Sequence, residues 1–128
     1  MRLILALLLL CWHPLAPDHI AMVPHSIAEA NRDMEERVIT CDVTWYCDQD
    51  CHPRWSKMYG LTASGVRADE NTAASDTLPF GTVVFVPNVG FRVIRDRGVG
   101  GPGIDCWCGS RAEALRRGRV KTEVRVLN

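Results

Sequence analysis

The sequence predicts a small, mainly β barrel, and three observations predict it. Several short stretches alternate or are dense in β-branched residues, a single well-marked helix comes late, and the 128 residues include ten glycines. That length allows one domain, with little to spare for a second.

Taken in order, residues 1–37 read as a signal or anchor segment and linker, and residues 38–128 as the barrel domain. Arg2 followed by the apolar run Leu3 to Leu10 has the plan of a secretory signal. The run is short for a membrane span. Ala28-Glu-Ala30 before Asn31 has the residue types of a cleavage site. Cys11 suggests a lipid anchor, although Leu10 precedes it where a small residue is required. The expectation is export, to the cell envelope or beyond, with cleavage and retention both open. Retention would allow peripheral membrane contact through the apolar segment. Pro14 to Arg37 reads as linker, with a short helix around Ile27 to Glu36.

Val38 to Trp45 is the first strand, with Ile39, Cys41, Val43 and Trp45 on one face and Thr40, Asp42 and Thr44 on the other. Cys47 to Arg54 is polar, carries Pro53 and reads as a loop, as does Thr62 to Asn71 around Gly65. Gly81 to Val86 is strongly β-forming between Pro79 and Pro87, and Phe91 to Arg95 follows across a short turn as a hairpin partner. Ile104 to Cys108, if extended, puts Ile104, Cys106 and Cys108 on one face and Asp105 with Trp107 on the other. Ser110 to Glu113 forms a capping box. Ala112, Ala114 and Leu115 supply that helix's apolar stripe, and Gly118 ends it. Val120, Thr122, Val124 and Val126 then alternate with Lys121, Glu123 and Arg125 as a last half-buried strand.

The formal net charge is zero and 47% of residues are apolar, which gives no support to nucleic-acid binding. Arg111, Arg116, Arg117, Arg119, Lys121 and Arg125 outnumber Glu113 and Glu123 near the C-terminus. That excess is either a solvated face or an attraction to anionic wall polymers. Five cysteines follow the apolar segment: Cys41, Cys47, Cys51, Cys106 and Cys108. In an exported domain this density predicts disulfides, with one thiol left over. Along one strand Cys106 and Cys108 would lie about 6.5 to 7 Å apart, near the limit for a bridge, so partners are expected among Cys41, Cys47 and Cys51. A zinc site from Cys47, Cys51, His52, Cys106 and Cys108 is the competing reading, and no metal or other cofactor is expected.

Three aspartates stand in turn or strand-edge settings: Asp76 in Ala73-Ala-Ser-Asp-Thr-Leu-Pro-Phe-Gly-Thr82, Asp96 in Val93-Ile-Arg-Asp-Arg-Gly98, and Asp105 in Gly100-Gly-Pro-Gly-Ile-Asp-Cys-Trp107. Upstream lie Tyr46-Cys47, Cys51 and Trp55, then Tyr59-Gly-Leu-Thr-Ala-Ser-Gly65. Together these resemble the 3D domain, named for its three aspartates, whose relatives include membrane-bound lytic transglycosylase A, rare lipoprotein A and the expansins. The segment around Asp76 is similar to that of rare lipoprotein A, with Ser75 at its histidine position.

The resemblance covers roughly Val38 to Leu127 and implies a six-stranded double-psi β-barrel acting as a monomer on peptidoglycan glycan strands. It implies catalytic roles for Asp105, Asp96 and Asp76, with substrate contacts at Trp107, Thr62, Ser64, Gly65 and Arg97. Asp105 would protonate the glycosidic oxygen between N-acetylmuramic acid and N-acetylglucosamine. It would then take the proton from the muramyl C6 hydroxyl, closing a 1,6-anhydro ring. An indole beside Asp105 would favour the neutral carboxyl that this step needs.

Each aspartate also has a plainer reading: Asp105 and Asp76 as turn residues, Asp96 as a local pair with Arg97 and nearby amides. A serine nucleophile at Ser64 and a Cys51–His52 pair are poorly supported, because neither has the flanking residues such chemistry needs. The expected activity is lytic transglycosylation. The alternatives are a non-catalytic, expansin-like glycan-binding module and a structural component of an envelope or phage assembly.

Overall fold

The computed structural model describes residues 36–127. The signal segment, Cys11, the alanine pair at 28 and 30 and the linker, with nearly all of the helix expected there, lie outside the described residues. Eight elements follow: β1 (Glu36–Tyr46), α1 (Asp48–Cys51), β2 (Thr72–Ala74), β3 (Val83–Val86), β4 (Gly90–Asp96), β5 (Ile104–Trp107), α2 (Arg111–Arg117) and β6 (Val120–Leu127). The six strands close into a mixed barrel in the order β1-β5-β2-β4-β3-β6. The pairs β1–β5 and β2–β4 are parallel and the other four antiparallel.

Alternation decides which side chains fill the barrel. Cys41 and Val43 of β1, Val84 and Val86 of β3, Ile94 of β4, Ile104 and Cys106 of β5, and Val124 and Val126 of β6 point inward. With Ala73 and Leu78 they form one core. Burying each valine or isoleucine contributes roughly 1.5–3 kcal/mol. Gly103 brings β5 against β1, because a Cβ there would lie 2.9 Å from the Asp42 carbonyl oxygen.

The structure departs from the sequence reading in several places. Thr72–Ala74 is a strand, wholly buried between β4 and β5. It has only three residues and lies in a segment whose glycine, proline and serine pattern reads as turns. Within the expected loop at Cys47 to Arg54, Asp48–Cys51 turns once as a helix, since the Asp50 carboxylate accepts the Cys47 amide at 2.9 Å and closes the turn. In α2, Ser110 accepts the Glu113 amide at 3.2 Å and the Gly118 amide donates back to Ala114, but the reciprocal half of the expected capping box is not made, because the Glu113 carboxylate accepts from Arg117 instead. Its apolar stripe does not enter the core: the helix buries no residue and Leu115 is 78% exposed.

The disulfide expectation is corrected. Cys41, Cys47, Cys51, Cys106 and Cys108 are all free thiols. Cys106 sits opposite Trp45 in β1, four residues from Cys41, an offset of about 13 Å along the strand that no bridge spans. The Cys47 thiol donates to Asp50, and the Cys108 thiol to the carbonyls of Tyr46 and Ser110. Except for exposed Cys51, these residues behave as small buried apolar groups.

Candidate active site

The site begins as one row of residues across four adjacent strands. Thr44 of β1 pairs with Asp105 of β5, Asp105 with Ala74 of β2, and Ala74 with Asp96 of β4. Directly paired residues point to the same side of a sheet, so the four share the outer face. Two strand spacings separate the aspartates, about 9.5 Å between Cα atoms. A bulge makes this possible. Ala73 pairs with Ile94 but Ala74 pairs with Asp96, so Arg95 is skipped. Without that extra residue an arginine would face Ala74.

Asp105 is half-buried. Its Oδ1 accepts the Thr44 hydroxyl at 2.9 Å, and among the described residues no donor reaches Oδ2. Burial pushes its carboxyl above the usual range. The Thr44 hydrogen bond pulls it back, and the charges of Asp50 and Asp96 push it further up. Asp105 lies in a groove of about 740 Å³ whose other polar members are Thr44, Asp50, Arg111 and Arg119. Trp45, Ala114 and Leu115 give that groove an apolar wall.

Asp96 is bonded in the opposite manner. It is 8% exposed, and Oδ1 accepts the amides of Ala63 and Arg97 at 2.9 Å each. Its Oδ2 accepts the Tyr46 hydroxyl at 2.9 Å. Tyr46 thereby links β1 to β4, and its phenol is pushed far up, first by burial and then by Asp96. Asp96 opens onto a separate depression of about 350 Å³ with His52, Met58, Thr62, Ala63 and Arg97, and only Asp50 lines both hollows.

Asp76 is exposed, off this row, and each of its oxygens accepts one amide at 2.7 Å, from Gly98 and from Gly100. Positive φ angles of 99° and 78° turn those two amides toward it, a conformation open to glycine. The hydrogen bonds hold its carboxyl below the ordinary range. Asp76 thus clasps the glycine-rich loop that leads into β5.

The expected substrate contacts are dispersed. Trp107 shares a strand face with Asp105, and its indole donates to Asp48 Oδ1 at 2.8 Å and so anchors α1. Thr62, Ser64 and Gly65 form a tight turn. The Thr62 hydroxyl donates to the Val66 carbonyl at 2.8 Å, the two hydroxyls of Thr62 and Ser64 lie 3.0 Å apart, and Gly65 has φ of 88°. Thr62 borders the Asp96 depression. Arg97 borders it too, donates to the Ser75 carbonyl and stacks 3.9 Å from the Phe80 ring centre.

Thiol chemistry finds no footing. Burial pushes the Cys106 thiol up to about 12 and the buried Cys41, Cys47 and Cys108 thiols up as well. Among the described residues no group of three or more histidine, cysteine or acidic side chains is placed to hold a metal ion.

Thr44, Asp50 and Leu115 line the groove without having been singled out as site residues from the sequence, whereas Arg111 and Arg119 belong to the basic run already noted near the C-terminus. Thr44 is legible as an outward residue of β1, and Leu115 as part of the apolar stripe of α2. No family model and no curated protein matches the chain.

Proposed function

We propose that this chain is an exported peptidoglycan lytic transglycosylase, a 3D-type member of the double-psi β-barrels, with Asp105 as its single acid and base. The observation that carries the reading is Asp105 itself: a half-buried carboxyl biased toward its neutral form, held by one hydrogen bond in an open groove. A neutral carboxyl donates its proton to the glycosidic oxygen as the bond to the muramyl C1 breaks. The resulting carboxylate accepts the C6 hydroxyl proton as that oxygen bonds to C1, so the anhydro ring closes and the acid is regenerated. One carboxyl serves both half-steps, whereas hydrolysis uses two. Trp45, Ala114 and Leu115 offer an apolar surface to a sugar face, while Arg111 and Arg119 suit hydroxyl or carboxylate substituents.

The test is product analysis by mass spectrometry after the full chain is incubated with purified peptidoglycan. Anhydromuropeptides are expected. Asp105→Asn keeps the shape and can keep the Thr44 bond but has no proton to transfer, so release should fall by at least about 100-fold. Products with free reducing ends would indicate hydrolysis. Retention on peptidoglycan with no product would leave the glycan-binding module.

A further inference from the structure

The groove holds a second carboxylate that the proposed chemistry leaves unused. Asp50 closes the single turn of α1, and its Oδ2 accepts the Cys47 amide at 2.9 Å and the Cys47 thiol at 3.3 Å. Its Oδ1 accepts two donors from the Arg111 guanidinium of α2, Nη2 at 2.6 Å and Nε at 3.1 Å. Asp50 therefore fastens α1 to α2 beside the groove in which Asp105 lies, and it is the one residue lining both that groove and the Asp96 depression.

We infer that Asp50 is a positioning residue for Asp105: fixed by Arg111 and Cys47 in one geometry, its carboxylate stands as an anion in the same groove and adds to the burial that favours the protonated form of Asp105. The inference rests on the transglycosylase reading for its purpose, while its physical content is the coupling of two carboxylates. Their surroundings push them apart. Burial favours neutral Asp50, but the hydrogen bonds from Arg111 and Cys47 outweigh it and hold Asp50 below the ordinary range, while Asp105 is held above it. Two carboxyls separated in this way divide into a proton donor and a permanent anion.

Other groups also act on Asp105. Thr44 and Tyr46 of β1, Asp96 of β4, Cys51 of α1, Arg111 of α2 and Arg119 before β6 surround it. Arg119 pulls against the anions. Asp96 pushes with them, but it is committed to three donors deep in the barrel wall. Asp50 is the anion in the groove itself.

The test is a carboxyl-carbon NMR titration of the full chain labelled at aspartate, with Asp105→Asn identifying the Asp105 resonance. In Asp50→Asn, which can still accept the Cys47 amide, the Asp105 midpoint should move to lower pH. Asp50→Glu, which restores the charge, should bring the midpoint back toward wild type. Should Asp50→Asn fail to fold, Asp50→Gln replaces it, since glutamine also serves at this position of a capping turn. An unchanged Asp105 midpoint in a folded, uncharged variant overturns the inference, and so does an equal drop in Asp50→Glu. The titration needs no substrate. Absence of anhydro products with a coupled titration sinks the enzymatic reading alone, and anhydro products with an uncoupled titration sink the role of Asp50 alone.

Discussion

Asp96 and Asp105 flank the same alanine on the same face of the barrel, and their surroundings give them different work. Three donors converge on the Asp96 carboxylate, from the loop before β2, from its own chain and from Tyr46 of β1. Among the described residues one donor reaches Asp105. Through its three hydrogen bonds Asp96 ties the loop before β2, β1 and β4 together. No donor among the described residues reaches the other oxygen of Asp105, and the charges of Asp50 and Asp96 favour its neutral form. Among the described residues the two carboxyls thus differ in the number of donors they accept, not in residue type or in place along the row. Asp76 belongs with Asp96, since its two oxygens are both engaged by amides, but at an exposed loop.

The comparison breaks if removing the tie is harmless. Asp96→Ala leaves the Arg97 and Ala63 amides and the buried Tyr46 hydroxyl without their acceptor. It should lower the unfolding free energy by about 2–3 kcal/mol, read from urea denaturation with an unchanged slope. A change within about 0.5 kcal/mol, the range of neutral surface substitutions, would remove Asp96 from the structural side.

A smaller and local effect is expected at the loop. Asp76→Asn removes one clasping acceptor and weakens the other, so the Gly98 and Gly100 amides should exchange faster with solvent while global melting hardly moves. The wild-type chain offers the same test through pH. The folded Asp76 carboxyl is held below its ordinary value. Its contribution is therefore present above that ordinary value and is lost as pH falls through the lowered folded one. Protection of the two amides should decline only in that acid range, and decline at neutral pH would contradict the clasp.

Much of the barrel could be read from the sequence: β1, β5 and β6 from alternation, β3 from a dense β-forming run between prolines, and β4 from the short turn that makes it a hairpin partner. Asp105 was legible through the alternation of β5, as the outward residue between Ile104 and Cys106. Three features were not. β2 is too short for a period, and its residues are buried because β4 and β5 flank them. The bulge at Arg95 moves Asp96 onto the Asp105 face, and only pairing across strands reveals it. Asp50 sits on a single helical turn, where its partner Arg111 is 61 residues away. The thiols misled because density in cysteine signals bridges, whereas in this chain four of the five fill buried positions.

The central claim is that proton transfer by Asp105 drives glycan cleavage, and it is most directly tested by the pH dependence of release. Soluble muropeptide release and retention on insoluble peptidoglycan would be followed together over roughly pH 4 to 8 in wild type and Asp105→Asn. Asp105 must start protonated, and its folded carboxyl titrates above the ordinary aspartate range, so release should decline as pH rises through that raised value. In Asp105→Asn the release and its alkaline limb should vanish while retention persists. Release that keeps the same alkaline limb in a folded Asp105→Asn variant would contradict the account.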